Sequence, residues 1–155
     1  MSEDSVAIVV PDPHYTLFDT SRRDLPAAVV VNDSLLAFEH TDIFAWHLEV
    51  TLHAVDLADK GMPTPDESRL LFEIGDEIEK ALVGYNALFL ARSTWNGLRQ
   101  LFFRVYDPDV ADKALQEMLV QKQVRGWEFR MEHDPQWQQA GPFFQLFPSA
   151  SGHDA

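Results

Sequence analysis

The sequence predicts an α+β domain: an antiparallel sheet with two amphipathic helices on one face. Three observations predict it: two stretches of strictly alternating polarity, two capped helical stripes, and an Asn-Gly pair between β-rich runs.

Taken in order, "YTLFD" at 15–19 and "AAVVVN" at 27–32 flank the polar "TSRRDLP" and read as a hairpin that extends or covers the sheet. In "FAWHLEVTLH", residues 44–53, Phe44, Trp46, Leu48, Val50 and Leu52 share one face, while His47, Glu49, Thr51 and His53 share the other. A period of two over this length is that of a half-buried strand. "TPDESRLLFEIGDEIEKALVG" then opens with Thr64 as N-cap, Pro65 at the first helical position and Glu67 completing a capping box. Its Leu70, Leu71, Ile74, Ile78, Ala81 and Leu82 recur at helical spacing, and Gly84 stands where the helix should stop.

The run "NALFLARSTWNGLRQLFFRVYD" is two strands around Asn96-Gly97, the dipeptide suited to a two-residue turn whose central residues both need positive φ. "DPDVADKALQEMLVQK" gives a second helix, with Asp107 as N-cap, Pro108 at its first position, and Val110, Ala111, Ala114, Leu115, Met118 and Leu119 on one stripe. "GWEFRMEHD" alternates Trp127, Phe129 and Met131 against Glu128, Arg130 and Glu132, a further half-buried strand. Residues 44–132 therefore spell strand, helix, strand, strand, helix, strand, the split βαβ arrangement of a ferredoxin-like core (βαββαβ). The stretch from Asp134 onward, rich in Trp137, Phe143, Phe144 and Phe147, is expected to dock on that core as a short segment.

A chain of 155 residues fits one domain, placed at 1–148 with a frayed polar tail at 149–155. The hydrophobic share of 46% and charged share of 24% are those of a globular protein, and no apolar run spans a bilayer. The opening "MSEDSVAIVVPDP" has neither a basic n-region nor a full apolar region, so no secretion signal is expected in it. Zero cysteines exclude a disulfide framework, a thiol nucleophile and a thiolate metal site, and fit a cytoplasmic setting. Twelve Lys and Arg against 25 Asp and Glu give a net charge of −13, which argues against nucleic acid and serves either simple solubility, the commoner reason for such a charge, or attraction of a partner with a basic segment.

The chain resembles the bacterial proteins grouped as domain of unknown function 695. The resemblance is carried by "YTLFD…AAVVVN", the aromatic strand around "FAWHLEV", the acidic capped helix, "ARSTWNGLRQLFFRVYD" and the closing "HDPQW…FQLFP", over most of residues 15–148. Its most specific parts are Arg92, Thr94, Gly97 and Arg99, and the set Asp134, Pro135, Trp137 and Pro148. Relatives place an aromatic soon after that tryptophan and reach the last proline sooner, whereas here Ala140-Gly141-Pro142 intervene, which leaves the docking of the C-terminal segment open. The resemblance implies a ferredoxin-like α+β domain, distantly similar to the small acidic protein inhibitors of ribonuclease E, and brings no catalytic residues.

Two surfaces emerge. A two-residue turn at Asn96-Gly97 would set Trp95 against Leu98, Thr94 against Arg99, Arg92 against Leu101 and Leu90 against Phe103. Arg92, Thr94 and Arg99 then gather on the helix side with Leu88, Leu90, Phe103 and Val105, able either to clamp a carboxylate or phosphate or to bind internal acceptors such as Asp134. On the opposite, open face His47, Glu49, Thr51 and His53 would lie beside Gln100, Phe102, Arg104 and Tyr106, flanked by Glu128, Arg130 and Glu132. That face offers His47 as a base oriented by Glu49 with Arg104 beside an anion, or simple cross-strand charge pairs.

No nucleophile, carboxylate pair, phosphate loop or zinc helix stands out, so no catalytic residue, cofactor or metal is assigned. The expectation is a non-catalytic binding or regulatory module that engages a protein partner, or a second copy of itself, through its acidic surface or open sheet face. The alternative is an anion-binding protein or enzyme using Arg92 and Arg99, or His47, Glu49 and Arg104.

Overall fold

The Asn96-Gly97 hairpin lies at the middle of a six-stranded antiparallel sheet, in a computed structural model that describes residues 8–82, 84 and 86–148. The polar tail expected at 149–155 lies outside the described residues. The strands are β1 (Tyr15–Arg22), β2 (Leu25–Asn32), β3 (Trp46–His53), β4 (Ala87–Trp95), β5 (Leu98–Val105) and β6 (Trp127–His133). They are arranged β1-β2-β4-β5-β3-β6, every neighbouring pair antiparallel. The helices are α1 (Pro65–Leu82), α2 (Pro108–Leu119) and a single turn, α3 (Gly141–Phe144).

The caps select the helix starts. Thr64 Oγ1 accepts from the Glu67 N–H at 3.2 Å, and the Asp107 carboxylate accepts from the Asp109 N–H at 2.9 Å. The expected capping box is half formed, because the Glu67 carboxylate turns away from Thr64 to Arg125 and the Val55 N–H. α1 and α2 bury Leu71, Ile78, Leu82, Ala111 and Leu115 on one sheet face against Leu48, Val50, Leu52, Leu101, Phe103 and Val105. Each fully buried leucine or isoleucine there contributes about 1.5–3 kcal/mol.

The first hairpin extends the sheet at the β4 edge and does not fold over a face. It is longer than its apolar runs suggest: Arg22 pairs with Leu25, and Arg23 and Asp24 take positive φ in a two-residue turn.

One expected pairing is corrected. Trp95, Thr94 and Arg92 do face Leu98, Arg99 and Leu101, but a β-bulge between Phe89 and Ala91 sets Phe89, in place of Leu90, against Phe103. Beyond the bulge every side chain changes face, so Leu88 and Leu90 join the second core while Ala87 and Phe89 go under the helices. The Asn32 side chain, at the end of β2, donates to the Phe89 carbonyl at 2.9 Å, satisfying a group that the bulge withdraws from the β2 ladder.

The face expected to be open carries that second core. Leu35, Phe38, Ile43 and Phe44 from the loop after β2, with Trp137, Ala140, Phe143, Phe144, Leu146 and Phe147 from the C-terminal segment, pack on Val29, Val31, Leu88, Leu90 and Phe102. Phe44 goes there, opposite to its expected face, because β3 begins only at Trp46. Ala140-Gly141-Pro142 form the end of a 3-10 turn and the start of α3, which carry Phe143 onto Phe102 at 4.7 Å between ring centroids. Among the described residues no helix is long and apolar enough to cross a membrane.

Candidate functional site

Arg92, Thr94 and Arg99 meet on the helix side of the hairpin, where β4 and β5 pass under the first turns of α1. The Thr94–Arg99 pairing brings Arg99 Nε to 3.0 Å from Thr94 Oγ1, and α1 supplies Ser68, whose carbonyl and Oγ accept from the guanidinium at 3.3 and 3.0 Å. One helical turn on, Phe72 presents its ring to both cations: Arg92 Cζ lies 4.5 Å and Arg99 Cζ 4.6 Å from its centroid. Ser68 and Phe72 are four residues apart and so project from the same stripe of α1.

Neither guanidinium has a carboxylate at ion-pair distance among the described residues, and Arg92 has no hydrogen-bond acceptor there. Arg99 is 4% exposed, and burial together with the neighbouring Arg92 pulls its pKa down to about 10, so it remains a cation at neutral pH. Burial also lowers Arg92, which Glu79 partly compensates. Glu79 itself is raised by burial and by Asp76, with Arg92 opposing. Two like charges held on one aromatic ring, each with part of its N–H fork unspent, make a cradle for an incoming anion.

The cradle opens on two clefts that share Phe72, Arg92 and Arg99. One, of about 130 Å³, lies along α1 and adds Leu71, Gly75, Asp76 and Glu79. The other, of about 330 Å³, lies toward the first hairpin and is closed by Leu17, Ala28, Val30, Met62 and Pro63.

The polar residues of the opposite face are engaged with one another and with the C-terminal segment. Arg104 is fully buried and its NH1 donates to Asp134 Oδ2 at 2.9 Å and to His47 Nδ1 at 3.3 Å, with the Trp137 ring 4.7 Å from its Cζ. Asp134 thus receives Arg104, where the hairpin arginines had been the expected donors. Burial raises Asp134, but the Gln139 N–H, Arg104 and the Gln138 N–H outweigh it and leave its carboxyl below the usual range. His47 is 3% exposed, and burial followed by the Arg104 charge pulls it down to about 4, so near neutrality it is an uncharged acceptor sealed from solvent. Glu49 does not orient it: its carboxylate takes Gln100 at 3.1 Å and Arg130 at 3.2 Å. Arg130 is exposed and bridges Glu49 to Glu132, a cross-strand surface pair. Among the described residues no group of three or more His, Asp or Glu is placed to hold a metal ion.

A family model described as "Family of unknown function (DUF695)" matches residues 15–144, most of the chain. The chain belongs to the DUF695 family. No curated protein and no solved structure matches it. The DUF695 match runs from β1 to the end of α3 and so includes the cradle, both clefts and the buried Arg104–Asp134 pair, without assigning a role to any of them.

Sequence reasoning had the cradle's arginines and threonine but missed Ser68, Phe72 and the Leu17, Val30 and Met62 wall. One signal was present: Phe72 is an aromatic residue off the apolar stripe of α1, and it stays 47% exposed. The wall has no such signal, since it is assembled from β1, β2 and the loop before α1.

Proposed function

We propose that the protein is a non-catalytic binding module whose recognition site is the cradle between Arg92 and Arg99, and that the site takes an anionic group. The observation that carries this reading is two guanidiniums over the Phe72 ring with no carboxylate at ion-pair distance among the described residues, in a chain of net charge −13. A buried Arg99 and a half-buried Arg92 without a carboxylate at ion-pair distance among the described residues are costly unless a ligand uses them. The concave shape supports a small ligand over a flat partner surface. The cover that residues 134–148 place over much of the second face argues against an open-sheet docking role. We also read β3-α1-β4-β5-α2-β6 as a ferredoxin-like unit, supported by the order β4-β5-β3-β6 with α1 and α2 on one face.

The test is a thermal-shift titration with a panel of carboxylates, phosphates and sulfonates on wild type and Arg92→Gln. Arg92 makes no internal hydrogen bond among the described residues, so its substitution should leave the fold intact. A stabilising anion should raise the wild-type melting temperature with dose, by about 2.7 kcal/mol of stability at a hundredfold excess over Kd, and Arg92→Gln should lose the response. A flat wild-type titration, or equal responses in both proteins, defeats the reading. A second reading, a basic protein segment on α1, is favoured by the exposure of Asp66, Glu73, Asp76 and Glu77 along that helix. It predicts that the anion panel stays flat while a lysine-rich peptide stabilises the protein at low salt only.

A further inference from the structure

The two clefts beside the cradle differ in chemistry, and the difference selects a ligand. The smaller one is walled by Asp76 and Glu79, which disfavour an apolar or anionic continuation of a bound anion in that direction. The larger one has no acidic side chain in its lining: it offers Leu17, Ala28, Val30, Met62, Pro63 and the edge of Phe72, with Ser68 and Thr94 at the end nearest the arginines. Building on the anion-binding reading, we propose that the ligand is a small amphipathic monoanion whose head sits between Arg92 and Arg99 and whose apolar body fills the cleft against Leu17, Val30, Met62 and Phe72.

Three further observations support the assignment. Charge is the first: with Glu79 opposing Arg92 and Asp76 close by, the two guanidiniums suit a singly charged carboxylate or sulfonate head better than a phosphate dianion, which the carboxylates repel more strongly. Donors are the second: Thr94 Oγ1 and Ser68 Oγ each accept from Arg99, so their own hydroxyl protons remain to be donated to an anion beside it. Exposed apolar surface is the third. Leu17 on the edge strand is 60% exposed and Phe72 is 47% exposed, and both border this cleft. The cleft stands at the lower end of the range for small-molecule sites, which limits the body to a short aliphatic chain or a single ring.

The test is calorimetric titration of the full chain with acetate, butanoate, hexanoate and octanoate, with octane-1-sulfonate, octan-1-ol and inorganic phosphate alongside. Affinity should rise about fourfold per added methylene up to the length that fills the cleft, as burial of each CH₂ predicts. Octane-1-sulfonate should bind like octanoate, and octan-1-ol and phosphate at least tenfold more weakly. Leu17→Ser, at an exposed position that leaves the fold intact, should flatten the chain-length dependence, while Arg92→Gln should remove binding of every length. If phosphate and acetate bind as tightly as octanoate and Leu17→Ser changes nothing, the amphipathic assignment is overturned and the anion site stands. Equal binding of octan-1-ol overturns the role of the head, and no binding by any anion overturns both readings.

Discussion

Glu67 shows how far one side chain can depart from the local role its position suggests. Three residues after Thr64 it reads as the second half of a capping box, but it accepts from Arg125 Nε at 2.7 Å and NH2 at 2.6 Å and from the Val55 N–H at 2.7 Å. Its side chain is 1% exposed while that of Arg125 is 17% exposed, so the pair ties α1 to the loops after β3 and before β6 with the carboxylate sealed and the guanidinium at the rim. The Arg125 hydrogen bonds lead the causes that bring Glu67 from 4.5 down to about 2. A carboxylate whose folded pKa lies below its unfolded value contributes stability above the unfolded pKa and loses it as pH falls through the folded one. Glu67→Gln should therefore destabilise the protein at neutral pH by about 1–3 kcal/mol, since it removes charge-assisted hydrogen bonds and leaves Arg125 only the exposed Asp56 at 4.0 Å. Urea denaturation of both proteins should show that gap constant from pH 7 to 5 and closing between about 4.5 and about 2. A gap that persists unchanged to the lower limit would refute the assignment. The same residue marks a limit of sequence reading: a capping signature is local, whereas Arg125 lies 58 positions away and only the fold makes it the better partner. The cradle was legible by the reverse argument. Turn chemistry alone fixes Thr94 against Arg99, but that no carboxylate among the described residues comes within ion-pair distance of the two arginines is a property of the assembled molecule.

At the scale of elements, the helices were legible because each carries a cap, an early proline and a stripe within one short stretch. The hairpin register was legible only as far as a period of two holds. It failed at Leu90, where the bulge depends on Asn32, 57 positions from the Phe89 carbonyl that its side chain satisfies. The hairpin tip has a further constraint outside its own sequence. The Gly97 N–H donates to the Gly61 carbonyl at 2.7 Å, and the Ala54 N–H to the Gly97 carbonyl at 2.9 Å, so the loop before α1 grips the turn. Gly61 has φ +80°, and a Cβ added there would stand 2.9 Å from the Asn96 Cα, a backbone atom that cannot yield. Gly61→Ala combines a left-handed backbone with that clash and should cost about 2 kcal/mol. Chemical denaturation would measure the loss. A neutral or stabilising result would mean that the grip is absent in solution.

At the scale of the molecule, one sheet is shared by two cores, so neither face can lose its cover without exposing strands that the other needs. The helix face buries Leu115 and Trp127; the opposite face buries Leu90 and Trp137 under the C-terminal segment. The segment is held by more than apolar contact. Arg104 and the Asp134 carboxylate form a buried pair, the Asp134 N–H reaches the Ala45 carbonyl at 2.7 Å, and the Trp137 indole N–H donates to the Thr41 and Phe44 carbonyls. Removing one partner of such a pair leaves a buried charge, so partial undocking is disfavoured and the two faces should unfold together. The indole N–H groups provide a probe on each side, since Trp127 donates to Gln123 and Trp137 to the loop after β2. Followed by NMR through a urea titration, both signals should vanish at the same midpoint. Leu90→Ala and Leu115→Ala, each emptying one core, should each lower that common midpoint by the equivalent of about 2–5 kcal/mol without separating the two signals. Loss of the Trp137 signal ahead of Trp127 would instead make the C-terminal segment a detachable cover, and the second face an intermittently open surface. The Arg92–Arg99 cradle lies on the helix face, so only coincident transitions would tie its geometry to the docking of residues 134–148.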